Sequence, residues 1–174
     1  MQEIPMYTVD AFSNRIFKGN SCAVCIFNEW PDDSILQKIA KQNMFAETAF
    51  IVNKQSRPEL RWFTVSQEVD FCGYGTLSAA YVWLNFYDQN NDTITFDTKN
   101  YGSLSIYKND NIYNITVGTK DIVEEIFDNN VFSALSGTRP QTMHTTKRGD
   151  LLITYRDDLE VSSIKPNFNI LMNN

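Results

Sequence analysis

Residues 75–87 are predicted to form a helix that is apolar on nearly every side, and this feature restricts the possible folds more than any other. The helix has no polar stripe wide enough to face water, so other elements must surround it. The apolar run 77–87 is also too short to span a membrane. The apolar residues of the helix are Leu77, Ala79, Ala80, Val82, Trp83, Leu84 and Phe86.

Short segments rich in β-branched and aromatic residues precede and follow this helix, and they are predicted to be strands. They are residues 4–9, 22–27, 46–52, 59–65 and 67–71 before the helix, and 93–98, 102–108 and 111–117 after it. One amphipathic helix, over residues 31–43, interrupts the first group. The pattern predicts an α+β fold in which a β-barrel-like sheet wraps around a central helix.

A domain boundary is expected in the acidic segment 121–137, whose sequence is typical of a connector with short helices. Residues 1–120 are assigned to the first domain. Residues 138–174 contain two further strand-like runs and a short helix, and they are assigned to a second domain.

Composition and charge exclude several classes of protein. Of 174 residues, 43% are hydrophobic and 21% are charged, which is typical of a globular chain rather than a disordered one. The net charge of −6 argues against a nucleic-acid partner, since such binding depends on Lys and Arg. The N-terminus lacks a basic region followed by an apolar stretch. A soluble cytoplasmic protein without a membrane partner is therefore expected.

The three cysteines do not suggest a disulfide framework, because their number is odd. Cys22 and Cys25 have the spacing of a metal or redox motif, but they lie in a predicted strand. Side chains three residues apart in a strand point to opposite faces. Both are therefore interpreted as small buried hydrophobic residues.

The start of the central helix is the first candidate site. Its first backbone N–H groups have no partner within the helix, and the helix dipole adds partial positive charge there. Gly73 and Gly75 would let a carboxylate or phosphate approach the main chain closely. The alternative, that these glycines only serve the strand-to-helix turn, stays open on this stretch alone.

Glu47 begins an otherwise apolar strand, and it is the second candidate. Alternation places Glu47 on the same face as Ala49 and Ile51, so its carboxylate is expected in a poorly hydrated cleft. Desolvation of this kind raises a carboxyl pKa and suits a group that accepts and returns a proton. An exposed glutamate at a strand edge is the alternative. Asp70 is interpreted as a turn or capping residue, or as one that orients the site.

Three blocks together resemble the PhzF-like family, the phenazine-biosynthesis isomerases and their relatives. The blocks are VDAFSNRIFKGNSCAV, FAETAFIV and LRWFTVSQEVDFCGYGTLSAAYV. The resemblance implies the diaminopimelate epimerase fold, with two similar domains, a central helix in each, and an active site between them. It implies isomerisation of a small carboxylated metabolite by proton transfer, without a metal or an organic cofactor.

The resemblance also assigns roles to residues. Glu47 matches the glutamate that moves the proton, and Cys72 matches a cysteine that is the base in related epimerases, so it ranks second. The amides of Gly73–Thr76 would hold an anionic group of the substrate, and Asp70 and Asn20 are further substrate-binding candidates.

The chain departs from the family pattern in two respects. Tyr74 and Gly75 stand where the usual motif has histidine and alanine, and tyrosine, with an ordinary pKa of about 10, exchanges protons poorly at neutral pH. Tyr74 is therefore expected to act as a hydrogen-bond donor. The chain also stops at Asn174 without the Asp-Pro-x-Thr-Gly-Ser-like segment of the family, so a partial second domain, truncated at its C-terminus, is expected.

Two functional hypotheses follow from these departures. In the first, the chain is an isomerase, and a homo-oligomer completes the cleft by self-association through residues 138–174. In the second, it is a non-catalytic remnant that serves as a ligand-binding or interaction module. A carbohydrate-binding β-domain is a weaker alternative, because most aromatic residues alternate toward a core.

Overall fold

The computed structural model describes residues 3–15, 17–54, 56–118, 121–126, 128–135, 139–147 and 149–172. The chain divides into two units, Met1–Val117 and Gly118–Asn174. Within the described residues, the first unit contains an eight-stranded sheet and the second a three-stranded sheet. Both units also contain helices, so the chain is α+β, as the sequence predicts.

The sheet of the first unit consists of strands β1 to β8. They are β1 Met6–Ala11, β2 Asn20–Phe27, β3 Glu47–Val52, β4 Glu59–Thr64, β5 Glu68–Val69, β6 Thr93–Thr98, β7 Ser103–Asn109 and β8 Ile112–Ile115. Their order is β1-β2-β3-β4-β6-β7-β8, and β5 pairs with β4. The pairs β2–β3 and β4–β6 are parallel. Parallel neighbours need a crossover, and helices α1 (Asp33–Asn43) and α2 (Gly73–Val82) supply the two crossovers.

The sheet curls around α2. This helix contacts β1, β2 and β3 at one end of the sheet and β8 at the other, so both ends of the sheet reach it. Most α2 side chains are consequently buried, and the prediction of an interior helix is confirmed. The buried residues of α2 are Gly75, Thr76, Ser78, Ala79, Ala80 and Val82.

The predicted helix over 75–87 differs from the observed one at both ends. Helix α2 begins at Gly73, and after Val82 the chain continues as a π-helix, Trp83–Tyr87. Phe86 is 52% exposed, so its predicted burial is wrong. Its ring stacks on the ring of Tyr7 with 4.9 Å between centroids, near the edge of the sheet rather than in the core.

Helix α1 covers the opposite face of the sheet. Its buried residues Leu36 and Ala40 belong to a second apolar cluster, which also contains Cys25, Phe27, Phe50, Val52 and Phe63. Cys22 belongs instead to the cluster around α2. The prediction that Cys22 and Cys25 point to opposite faces of one strand is therefore confirmed. Both are buried free thiols.

Met44 connects α1 to the strand that begins at Glu47. It has a left-handed conformation, with φ 58° and ψ 18°, and its N–H donates to the Ala40 carbonyl at 3.3 Å. Glycine adopts this conformation without the steric cost that a β-carbon brings. The Met44 side chain is 76% exposed, so its removal loses little packing.

Met44→Gly should therefore increase the free energy of unfolding by about 1 kcal/mol, measured by urea denaturation. Met44→Ala is the matched control, because it removes the same side chain and keeps the β-carbon. An equal gain from the two variants would contradict the conformational explanation.

The second unit has its own small antiparallel sheet, in the order β11-β10-β9. The segment Ile122–Glu125 was expected to be a helix within a connector, and this expectation is wrong. It forms β9 and pairs with β10, because a neighbouring strand offers its backbone groups ordered hydrogen bonds. The elements of this unit are β9 Ile122–Glu125, α3 Asn129–Ala134, β10 Thr142–Thr146, β11 Leu151–Thr154, α4 Asp158–Ser163 and α5 Phe168–Leu171.

Candidate active site

Glu47 lies where β3 begins, on the face of the sheet that packs against α2. Ala49 and Ile51, two and four residues further along, belong to the apolar cluster around α2, as alternation predicts. Glu47 itself is half-buried. One of its carboxylate oxygens, Oε2, accepts a hydrogen bond from the Cys72 thiol. The strand thus brings the carboxylate to the first turn of the central helix.

Cys72 is the residue that caps α2. Its backbone is extended, with φ −138° and ψ 112°, and its Sγ accepts a hydrogen bond from the Gly75 N–H at 3.1 Å. Its carbonyl accepts from the Thr76 N–H at 3.0 Å and from the Thr76 hydroxyl at 2.6 Å. The same thiol therefore accepts from the helix and donates to Glu47.

This cap changes which amides can hold an anion. The sequence assigned the amides of Gly73–Thr76 to that role, but the Gly75 and Thr76 N–H groups already bond to Cys72. The N–H groups of Gly73 and Tyr74 have no acceptor within the part of the chain that the structure describes. Unpaired N–H groups at a helix start favour a negatively charged partner. These two are the donors available to a ligand.

Tyr74 contributes a third polar group near Glu47. Its hydroxyl is buried and has no hydrogen-bond partner among the described residues. Burial and, next, the negative charge of Glu47 raise the pKa of Tyr74 above its ordinary value. The hydroxyl therefore keeps its proton at neutral pH and can donate a hydrogen bond, which is the role that the sequence analysis expects of Tyr74.

The Cys72 thiol is also held in its protonated form. Burial is the main cause that raises its pKa, followed by the hydrogen bond to Glu47 and the charge of that carboxylate. Cys22 lies close by, where its thiol approaches the Glu47 carbonyl at 3.5 Å, and burial raises its pKa to about 12. We call the cluster of Glu47, Cys72 and Tyr74 the Glu47 corner. Within it, Glu47 is therefore the side chain that can accept a proton.

Asp70 and Asn20 are placed differently from this cluster. The Asp70 side chain is exposed and accepts a hydrogen bond from Asn100 Nδ2 at 2.7 Å, and the cap of α2 is Cys72 rather than Asp70. Asn20 is exposed at the start of β2, opposite Ala11. Their roles in substrate binding stay predictions.

Sequence reasoning missed two neighbours of the site. Trp62 packs its ring beside the first turn of α2, because β4 pairs with β3 in a register that sets Trp62 opposite Ala49. Cys22 reaches Glu47 because β2 runs parallel to β3. Neither the register nor the strand order has a signal in one sequence.

A cleft of about 760 Å³ runs along α2, and Glu47 and Cys72 do not line it. It follows Leu77, Ser78 and Tyr81 of the helix, between residues 8–14 and residues 111–113. The Glu47 corner is therefore a separate feature of the first unit.

Among the residues that the structure describes, no three His, Cys, Asp or Glu side chains are grouped so that they could hold a metal ion. None of the helices in those residues is long and apolar enough to cross a membrane.

Comparison with known proteins gives consistent matches along the chain. The sequence model described as "Phenazine biosynthesis-like protein" matches residues 9–174. An uncharacterized isomerase of Pseudomonas aeruginosa is 32% identical over 166 residues, which cover 95% of this chain and 62% of that protein. The chain thus spans less than two thirds of the length of that relative.

Solved structures match in the same way. A protein of the PhzF family from Enterococcus faecalis has a TM-score of 0.84 and 31% identity, over 97% of this chain and 63% of that one. A Pseudomonas aeruginosa structure described as a predicted epimerase has a TM-score of 0.68 at 17% identity, and this likeness concerns the fold alone. The epimerase-like fold that the sequence predicts is confirmed.

Proposed function

We propose a reaction for this chain from one premise: it belongs to the phenazine biosynthesis-like family, whose sequence model matches residues 9–174. The reaction is an isomerisation of a small carboxylated metabolite, in which Glu47 moves a proton from one carbon to another. No cofactor takes part in this proposal, as the family resemblance implies.

One observation carries the proposal. The Glu47 carboxylate lies at the first turn of α2, bonded to the Cys72 thiol and close to the Tyr74 hydroxyl. Burial and the charge of Glu47 raise the pKa values of Cys72 and Tyr74, so both keep their protons. The hydrogen bond from Cys72 orients the Glu47 carboxylate, which is the remaining proton acceptor of the three side chains.

The reaction takes up and releases no net proton, and the proton that Glu47 holds between the two steps exchanges with water before it is returned. Glu47 takes a proton from a substrate carbon, and the electron pair of the broken C–H bond delocalises toward the neighbouring carbonyl or carboxyl group. The Gly73 and Tyr74 N–H groups and the helix dipole stabilise that negative charge. Glu47 then returns the proton to a second carbon, which restores the carboxylate and leaves an isomer of the substrate.

The second candidate is a ligand-binding module without catalysis. The observation that favours it is Tyr74, which stands at the histidine position of the family motif and stays protonated at neutral pH, whereas a histidine could gain and lose a proton there. In that case the same two N–H groups would bind a carboxylate, and no proton would move.

Exchange with solvent deuterium separates the two functions. The chain is incubated in heavy water with a panel of cyclic and acyclic carboxylic acids, and carbon-bound deuterium is measured by mass spectrometry and proton NMR. We expect deuterium at carbon in at least one acid. Calorimetric binding with neither carbon-bound deuterium nor an isomerised acid would favour the ligand-binding module, and the lack of binding as well would contradict the site itself.

A further inference from the structure

A side chain at position 75 would collide with the Cys72 thiol. A β-carbon there would lie 2.8 Å from Cys72 Sγ and 3.0 Å from Cδ1 of Trp62. Carbon atoms in good contact are roughly 3.5–4.0 Å apart, so both distances are too short. Gly75 also stands where the family motif has alanine, which makes it one of the departures that the proposed function leaves unexplained.

Of the two neighbours, the Cys72 thiol is the one that can move. Trp62 is 2% exposed, and its ring packs edge-on against Phe71 at 6.0 Å between centroids. The Cys72 sulfur is the end of a side chain with a single rotatable bond. A methyl group at position 75 would therefore turn the thiol out of its place.

In its observed position the Cys72 thiol makes two hydrogen bonds. From there it donates to Glu47 Oε2 and accepts from the Gly75 N–H at 3.1 Å. Rotation about the Cα–Cβ bond would take the sulfur away from both partners. The Cys72 thiol thus occupies space that a side chain at position 75 would fill, and from there it reaches the Glu47 carboxylate.

We propose that Gly75 is a positioning residue, whose lack of a side chain keeps the Cys72 thiol against the Glu47 carboxylate and so orients Glu47 for proton transfer. The proposal has two steps. The steric step, in which a β-carbon at position 75 would displace the Cys72 thiol, rests on the interatomic distances alone. The last step, orientation for proton transfer, rests on the proposed function of Glu47.

The test compares Gly75→Ala with Gly73→Ala, a matched change two residues earlier in the same helical turn. A β-carbon at position 73 would meet only ring atoms of Phe71, at 3.9 Å, which is an ordinary contact. The readout is the S–H stretching band in the infrared spectrum, assigned to Cys72 by its loss in Cys72→Ala. A thiol that donates to a carboxylate vibrates at a lower frequency than a free thiol.

We expect the Cys72 band to move to higher frequency in Gly75→Ala and to stay in place in Gly73→Ala. An unchanged band in Gly75→Ala would overturn the steric step. Deuterium exchange should fall roughly 10- to 100-fold in Gly75→Ala, since small displacements of a catalytic group have effects of this size. A moved band with an unchanged exchange rate would overturn the positioning role. A wild type that exchanges nothing would instead contradict the proposed function.

A double-mutant cycle keeps the steric step testable should Gly75→Ala fail to fold. Without the sulfur, the added methyl group loses the neighbour with which it collides. Gly75→Ala should therefore destabilise the wild type in urea and cost much less in a Cys72→Ala background. Equal costs in both backgrounds, or a double variant that fails to fold, would place the collision at Trp62 and overturn the proposal.

Discussion

Glu47→Gln should lower the rate of deuterium incorporation by about 10²–10⁴-fold, the usual contribution of a general acid–base group. Glutamine has nearly the same size and can still accept a hydrogen bond from Cys72, so the corner should keep its shape. It cannot hold a transferred proton. Mass spectrometry of the acid that exchanges in the wild type measures the effect, and a rate within threefold of the wild type would remove Glu47 from the mechanism.

Two further variants serve as controls for this result. Glu124→Gln changes an exposed glutamate of β9 in the second unit, and it should leave the rate unchanged. Cys72→Ser replaces the thiol by a hydroxyl, which is still a donor to Glu47, so most of the rate should remain. A loss in Cys72→Ser as large as in Glu47→Gln would make the thiol a proton carrier itself.

The central features of the fold could be predicted because they depend on patterns within one segment. A helix that is apolar all round can be stable only in an interior, and this argument holds for any arrangement of the strands around it. The face of Glu47 follows from alternation with Ala49 and Ile51, whichever strands pair with β3.

Features that depend on pairing between distant segments could not be predicted. The hydrogen bond between Glu47 and Cys72 requires the start of β3 and the end of β5 to meet at α2. The family resemblance places both residues in one site, but the pattern of the sequence does not contain that register. The bonds of the Gly75 and Thr76 amides to Cys72 depend on the cap geometry of one residue. The strand β9 is short, acidic and exposed, so its state is decided by its partner β10 rather than by its own pattern.

Arg61 illustrates another contact that only the structure reveals, and it joins three elements of the first unit. Its guanidinium donates to both carboxylate oxygens of Glu68 in β5, at 2.6 and 2.8 Å, and to Asp33 at the start of α1, at 2.8 Å. It also lies over the ring of Trp30, 5.1 Å from the centroid. The Arg61 side chain is only 10% exposed, so this paired charge is largely removed from water.

Arg61→Met should lower the free energy of unfolding by about 3 kcal/mol at neutral pH. Methionine keeps much of the apolar stem, but Glu68 loses a two-point partner while it stays mostly buried. Lys99 still donates to Glu68 at 3.0 Å and limits the loss. Arg57→Met is the matched control, because Arg57 pairs with Asp97 at 3.0 Å with both side chains 47% exposed. Such an exposed pair contributes about 0–1 kcal/mol.

The same variant should change how stability depends on pH. Hydrogen bonds from Arg61 are the main cause that holds the pKa values of Glu68 and Asp33 below their ordinary range in the folded protein. In the unfolded chain these carboxyls titrate near pH 4, so the folded state binds fewer protons in that region. Their contribution is therefore complete above about pH 5 and is lost as the pH falls through the lowered folded values. Urea unfolding of wild type and Arg61→Met at neutral pH and at about pH 3 should show a difference that shrinks in acid. A difference that stays constant would mean that Arg61 stabilises the fold by packing on Trp30 and Phe63 rather than through its two carboxylates.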